Sequence, residues 1–554
     1  LSRGLGDVYK RQSLYNQKKK IKKQKRRNRI KAQFGKNPME LEAWESLEKR
    51  MREIRMYEEL VVQDVKKEEW QSAGSVDTVT WNDLEMDRVF ARINHTRTYM
   101  GEQILYHRLH NMQTRQSCED MEKRISFFSC RESIRTEIEE KLMRIGKQKE
   151  SCYLPFFLTE EINPLVIPGA ILYFLQGLLA FCLIGAILLR SNLWATGFLV
   201  VAVVNLLIYL HTKCKYEGNL FMVSSLKELF DFCNWIVKKL EPDRPEILHA
   251  LEKTQKLSHR ILRWQTRKYQ SISGDVTGIL WDYIAGITLH DVVAFYRIQK
   301  TLRACKKETM QLYTFAGEID MEIAIASFRK SLPQWCCPSL QSDGAISVEK
   351  ISHPLMADAI PNDFVLKKGV VLTGANASGK STFMKAVAIN VILAQTINTC
   401  VAKNMKMPAI QVMTSMALRD DVLQGESYYM REIKYLKRML DELKTGEPML
   451  FVIDEILKGT NTRERLAASN AILSYMVQKQ GFLLIATHDL ELVYALKKRY
   501  DTYYFDSQVH EKDIVFPYKI RRGIVGKTNA IDLMELLDFP EEITDQARRE
   551  AGKR

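Results

Sequence analysis

Residues 369–382 read GVVLTGANASGKST, and this stretch decides the fold of the C-terminal region. An apolar β-type run, Val370 to Leu372, ends in a glycine-rich turn. Helical text (FMKAVAINVILA) follows at once. Gly374, Gly379, Lys380 and Ser381 satisfy G-x-x-x-x-G-K-[ST] between strand and helix. Such a turn lets backbone N–H groups wrap phosphate oxygens while the helix N-terminus adds partial positive charge. The pattern assigns Lys380 to the β- and γ-phosphates and the Ser381 hydroxyl to Mg²⁺.

The second half of such a site comes some seventy residues later, in MLFVIDEILKGTNT, residues 449–462. An apolar run entering Asp454 and Glu455 puts two carboxylates at the end of a buried strand, where open α/β sheets bind ligands. Asp454 is placed to hold Mg²⁺ and Glu455 to orient or deprotonate an attacking water. A third run, FLLIATH (482–488), ends in His488, placed to sense a γ-phosphate. Short strands alternating with helices from about residue 340 are α/β grammar.

Upstream the text is helical, rich in Glu, Lys, Arg, Leu and Met, over 37–150 and again over 215–335. Between them Leu165 to Leu189 and Leu193 to Leu210 hold no charged residue and are separated by Arg190-Ser191-Asn192. A bilayer core needs about 20 apolar residues per helix, so residues 164–211 read as two transmembrane helices. A buried hairpin in a large core is the alternative. Arg144, Lys147 and Lys149 precede the pair and Lys213 and Lys215 follow it. That balance places both flanks and the α/β region in the cytoplasm and makes the hairpin (165–210) a membrane anchor.

The 554 residues carry a net charge of +15, with 46% apolar and 27% charged residues, which excludes a disordered chain. The first 31 residues hold +12 of that charge, largely in KKKIKKQKRRNRIK (18–31), and the remainder only +3. The body is nearly neutral, so net charge gives no ground for reading it as a DNA-coating surface. Residues 1–36 read as a basic, disordered arm fit for anionic lipid or nucleic acid. Its opening LSRGLGDVYKRQ has no signal-peptide core and reads as an appended stretch. Ten cysteines without a CxxC pair point to a reducing compartment. His107 and His110 form no metal spacing without a third ligand.

Four segments in order, GANASGKSTFMKAVAINVILAQ (374–395), RDDVLQGESYYMREI (419–433), IDEILKGTNTRE (453–464) and ATHDLEL (486–492), resemble the ATPase domain of the MutS DNA mismatch-repair family. HPLMADAIPNDFVL (353–366) and AIDLMELLDFPEEITDQA (530–547) extend the likeness, the latter to a C-terminal helix-turn-helix. Residues 81–109 and 315–338 look, more weakly, like the two chain segments of that family's helical core and lever. The resemblance implies an ABC-type P-loop ATPase domain over 340–554, behind an all-α core and lever region that the hairpin interrupts.

It also implies ATP and Mg²⁺ at Gly374, Ala375, Asn376, Ala377, Ser378, Gly379, Lys380, Ser381 and Thr382. Ala375, Ala377 and Ser378 replace the family's usual Pro, Met and Gly, all small enough for the loop to close. Asp454 and Ser381 become metal ligands, with Glu455 and His488 catalytic. Ser427 falls where the signature serine reaches a partner's γ-phosphate in a homodimer. Asn461 and Thr462 fall in the loop joining paired sites, and His353 and Ile360 near the adenine. Mismatched or branched DNA is the ligand that the family implies. Ahead of the helical core the quoted chain offers no candidate mismatch-reading domain, so the expectation is a membrane-anchored member without one. The alternative is an ATP-switched interaction protein, also anchored, that leaves mismatched DNA alone.

Overall fold

The computed structural model describes the chain except residues 1, 66–73, 148, 160–166, 241–243, 272–282, 342–343, 376–377, 417–427, 480, 507, 511–512, 525–530, 532–533, 535–538 and 552–554. The helices used below are α1 (Ser2–Gln33), α2 (Tyr99–His110), α3 (Glu132–Ile145), α4 (Gly169–Leu189), α5 (Asn192–Leu240), α6 (His290–Ala304), α7 (Lys306–Ser331), α8 (Lys380–Thr396), α9 (Tyr428–Glu442) and α10 (Thr462–Gln478).

The helical region is organised around α7, which is buried on every side from Leu312 to Arg329 apart from Thr314 and Glu318. A helix so enclosed must pair the polar groups it carries inward. Asp320 accepts from the Thr98 amide (2.8 Å), the Thr98 hydroxyl (2.7 Å) and the Arg97 amide (3.0 Å), so it fastens the start of α2. Burial pushes its carboxyl pKa upward against those bonds. The crossing of α2 and α7 depends on glycine: a Cβ at Gly317 would lie 2.6 Å from Ile104 and 2.9 Å from the Met100 carbonyl.

The basic arm, expected to be disordered, is instead the helix α1. The reason lies at its end. Ile30 and Phe34 are buried, Arg27 meets Glu140 at 3.0 Å and Lys31 meets Glu132 at 2.9 Å, both acids on α3. Two apolar anchors and two opposite charges hold a run of good helix formers in place.

The two apolar runs form α4 and the first part of α5. Gly169–Leu189 and Asn192–Thr212 are 21 residues each, with mean hydropathy 2.4 and 2.2, long and apolar enough to cross a membrane. Only 17% of each apolar window is buried within the chain, so the rest of the fold leaves most of their apolar surface uncovered. Leu188 and Leu193 at the tip are about three-quarters exposed, and Arg190 turns the chain in the left-handed region (φ 48°). Helix α5 then continues unbroken to Leu240, carrying the hairpin directly into the helical core.

From Ser339 the chain is α/β. One mixed sheet has the order β1 (Ser339–Gln341), β5 (Asn404–Pro408), β2 (Ile346–Ile351), β3 (Asn362–Leu366). The larger sheet has the order β12 (Ile520–Arg522), β9 (Asp501–Phe505), β4 (Gly369–Thr373), β8 (Gly481–Ala486), β7 (Met449–Asp454), β6 (Gln411–Ser415), parallel except for edge strand β12. A small hairpin pairs β10 (Gln508–His510) with β11 (Asp513–Val515). Strands β4, β7 and β8 are apolar without alternation because helices cover both faces of a parallel sheet. Leu372 sits opposite Ala486, and Ala486 opposite Asp454, so the ends of β4, β8 and β7 share one edge. Of the expected C-terminal helix-turn-helix, Glu541–Ala551 is a helix, and residues 532–533 and 535–538 lie outside the described residues.

Candidate active site

The turn after β4 is shaped by two glycines. Gly374 has φ 136°, and a Cβ there would lie 2.6 Å from the Phe505 carbonyl and 3.0 Å from Ser378 Oγ. Gly379 caps the start of α8 at φ 97°. Both conformations are costly for any residue with a Cβ. Ser378 is buried and its hydroxyl donates to the Ala375 carbonyl at 2.7 Å. Lys380, the first residue of α8, is only 3% exposed and donates to the carbonyls of Gly374 (2.7 Å) and Ala375 (2.9 Å). Burial draws its pKa below the usual lysine range, against the attraction of Glu455 and Asp454. A buried ammonium held by its own loop's carbonyls is a cation waiting for better acceptors.

Ser381 Oγ donates to Asp454 Oδ2 at 2.5 Å, which joins the turn after β4 to the end of β7 across β8. Glu455 follows in the left-handed region (φ 62°), its amide tied to the Ala486 carbonyl at 3.0 Å. This fold-back aims its carboxylate at His488, with Oε2 2.5 Å from Nδ1. Asp489, next to His488, is gripped by Arg465 through two bonds of 3.0 Å. Asn461 caps α10 by accepting from the Glu464 amide at 3.0 Å, and Thr462 is the exposed first residue of that helix. Glu432 of α9 accepts from the amides of Lys458 (3.0 Å) and Gly459 (3.4 Å), pinning the segment between the acid pair and Asn461. Burial raises the Glu432 carboxyl pKa against these bonds.

His353 and Ile360 line a cleft of about 430 Å³ together with Gly379, Lys380, Ser381 and Thr382. Burial pushes the His353 imidazole down to about 4, helped by nearby Lys385, so the ring is neutral. Asn376, Ala377 and Ser427 lie outside the described residues.

Two features escaped the sequence reading. The cleft is also lined by Tyr518 and Phe505. Tyr518 stands at φ 52°, its ring 3.0 Å from where a Cβ on Gly379 would be, and its carbonyl accepts from Asn362 Nδ2 at 2.9 Å. Nothing in the local text FPYKIRR marks that tyrosine. The other feature is a junction with the helical region. Asp83 Oδ2 accepts from the Thr414 hydroxyl (2.7 Å) and the Met416 amide (3.0 Å), and Thr80 Oγ1 from the Thr414 amide (3.1 Å). Arg438 of α9 pairs with Asp77 and donates to the Thr414 carbonyl at 2.7 Å. Residues 77–83 of the helical region thus brace the chain on both sides of 417–427. His107 and His110 are ordinary helix residues, bonded to Glu58 and to the Tyr106 carbonyl. No metal-binding group of three His, Cys, Asp or Glu occurs among the described residues.

A helical N-terminal region leading into an α/β region with two mixed sheets and these strand-end groups defines a domain of ATPase-like fold. Residues 370–553 match MutS domain V, and over that region the chain is similar to the MutS family. Among similar proteins, the DNA mismatch repair protein MutS of Natronomonas pharaonis is 30% identical over 262 residues, covering 45% of this chain and 29% of the relative. The protein of the same name from Lysinibacillus sphaericus is 28% identical over 268 residues, 46% of this chain and 31% of the relative. That of Aquifex pyrophilus is 28% identical over 249 residues, 43% and 28% respectively. The matched part therefore spans less than a third of each relative's length.

Proposed function

We propose that this chain binds and hydrolyses ATP with Mg²⁺, as a membrane-anchored homodimer of MutS type. The observation that carries the reading is the meeting of Lys380, Ser381, Asp454 and Glu455 at one edge of a parallel sheet, beside a cleft that also holds His353 and Ile360. Ser381 Oγ and Asp454 Oδ2 are the hard oxygen donors that Mg²⁺ takes alongside water and phosphate oxygens, so the residues fit that ion. Bound there, Mg²⁺ would neutralise phosphate charge.

The remaining chemistry belongs to the chain. Lys380 exchanges its loop carbonyls for phosphate oxygens, and the freed turn presents its amides to them. Glu455 accepts the proton of the attacking water, and His488 holds that carboxylate in its orientation. Ser427 reaches the partner's nucleotide, which makes turnover depend on two chains. The junction of Asp77, Thr80 and Asp83 with Thr414 and Arg438 then links the signature segment to the helical region.

The relatives' names give them a role in DNA mismatch repair, and mismatched or branched DNA is the ligand proposed on that ground. A second reading is favoured by the exposed apolar hairpin: an anchored, ATP-switched interaction protein whose ligand is not mismatched DNA. There the arm meets polyanions without reading sequence. Binding of the purified full chain to mismatched, branched and matched DNA, at stated salt and with or without residues 1–31, separates the two. Preference for mismatched or branched DNA that survives loss of the arm supports the repair role. Equal binding to all three that disappears with the arm, or with salt, supports the second reading.

A further inference from the structure

Residues 283–287 form a short helical stretch, 288 and 289 a turn, and α6 begins at His290. This stretch lies against the apolar hairpin. A Cβ on Gly286 would lie 2.9 Å from the Tyr209 ring and 3.1 Å from Leu206. Asn205 Nδ2 donates to the Ile287 carbonyl at 2.8 Å, and Gln176 Nε2 donates to the Thr288 carbonyl at 2.7 Å. Asn205 is fully buried. These are the amide side chains of the two apolar runs, and each serves a backbone carbonyl of the same turn.

The depth of the turn follows from the register. Gln176 is seven residues from Gly169, and Asn205 is seven from Thr212, the two ends that lie on one side of the hairpin. At 1.5 Å per residue both stand about 10 Å inside the apolar band. Helix α6 runs back out beside α4: the Arg297 guanidinium donates to the Tyr173 hydroxyl at 3.1 Å, and Tyr296 packs against Gly169. Tyr173, Tyr296 and Arg297 sit at the level where aromatic and snorkelling basic side chains mark a membrane boundary.

Backbone at that depth is tolerated only if its polar groups are satisfied without water. Here every carbonyl from Ile284 to Leu289 has a donor. Ile284 receives the Thr288 amide (2.9 Å) and hydroxyl (2.7 Å), and Ala285 the same hydroxyl at 3.4 Å. Gly286 receives the Leu289 amide (3.1 Å) and Leu289 the Val293 amide (3.0 Å). Asn205 and Gln176 close the two that the helical pattern leaves open. Meanwhile Tyr283 and Ile284 are 55% and 40% exposed, with apolar surface turned outward.

We propose that residues 283–289 are a re-entrant membrane element, a turn held about 10 Å within the cytoplasmic leaflet by Gln176 and Asn205, with Tyr283 and Ile284 facing lipid. The proposal rests on the reading of the hairpin as membrane-spanning. It makes the bilayer a direct contact of the chain segment leading through α6 into α7, the helix at the centre of the core.

The test is lipid photocrosslinking of the full chain in vesicles of phosphatidylcholine and phosphatidylglycerol. Benzoylphenylalanine replaces one exposed residue at a time: Ile284, Val203 in the hairpin, or Leu41 in the helical region. The expected result is lipid adducts from positions 203 and 284 and none from 41. Adducts at 203 without adducts at 284 overturn the re-entrant element and leave the anchor standing. Absence of adducts at both positions overturns the membrane reading itself. A second measurement uses Asn205→Leu and Gln176→Leu, which open carbonyls within the bilayer. Crosslinking at 284 should fall severalfold in the double variant while that at 203 is kept, and an unchanged yield at 284 argues against the clasp.

Discussion

Glu455→Gln tests the catalytic assignment most directly. The substitution keeps side-chain size, the left-handed backbone and the amide bond to Ala486, and it leaves Lys380, Ser381 and Asp454 untouched. What it removes is a carboxylate able to take a proton. A positioned general base is worth about 10²–10⁴ in rate, or roughly 3–5 kcal/mol. Turnover should therefore fall by that factor, while ATP affinity stays within about twofold and the ATP-bound dimer accumulates. His488→Ala leaves the base in place and removes only its 2.5 Å partner. The cost is near one hydrogen bond, so turnover should drop about tenfold. Single-turnover hydrolysis of labelled ATP, beside equilibrium binding of a fluorescent ATP analogue, separates chemistry from affinity. Hydrolysis by Glu455→Gln at the wild-type rate refutes the assignment. A loss of turnover matched by an equal loss of affinity would reduce Glu455 to a nucleotide contact.

Lys380→Ala removes a charge-assisted contact worth about 1.5–3 kcal/mol, so ATP binding should weaken roughly 10- to 150-fold in a titration. Mixing Lys380→Ala chains with Ser427→Arg chains puts both defects in one composite site, and partial hydrolysis should return. Mass by light scattering that stays monomeric with ATP and Glu455→Gln counts against composite sites. Acid should destabilise the fold through His95 and His353, both pushed down to about 4 by burial. Unfolded, each binds a proton near pH 6.5, so stability is lost as pH falls from 6.5 towards 4, by up to about 3 kcal/mol each. The melting temperature of the His95→Gln and His353→Gln variants should fall less over that range; an unchanged slope refutes it.

Sequence alone determined what contiguous residues encode. The turn from Gly374 to Ser381 is legible because strand, glycines, lysine and helix lie within fourteen residues and their spacing is itself the geometry. The acid pair is legible because Asp454 and Glu455 end an apolar strand, and the hairpin because 25 and 18 residues run without charge. The helical region's boundary near residue 335 is legible from composition. Tertiary structure alone decided what distant residues do together. Ile30 and Phe34 convert a charge run from a disordered arm into a docked helix, because two buried side chains outweigh the local polarity that a window of sequence registers. Asp83 meets Thr414 across 331 positions, Asn362 holds Tyr518 across 156, and Asn205 serves Ile287 across 82. Each of those side chains is unremarkable in its own segment. A hydrogen bond needs about 3 Å between two atoms, and for residues so far apart in sequence only the packed chain supplies it.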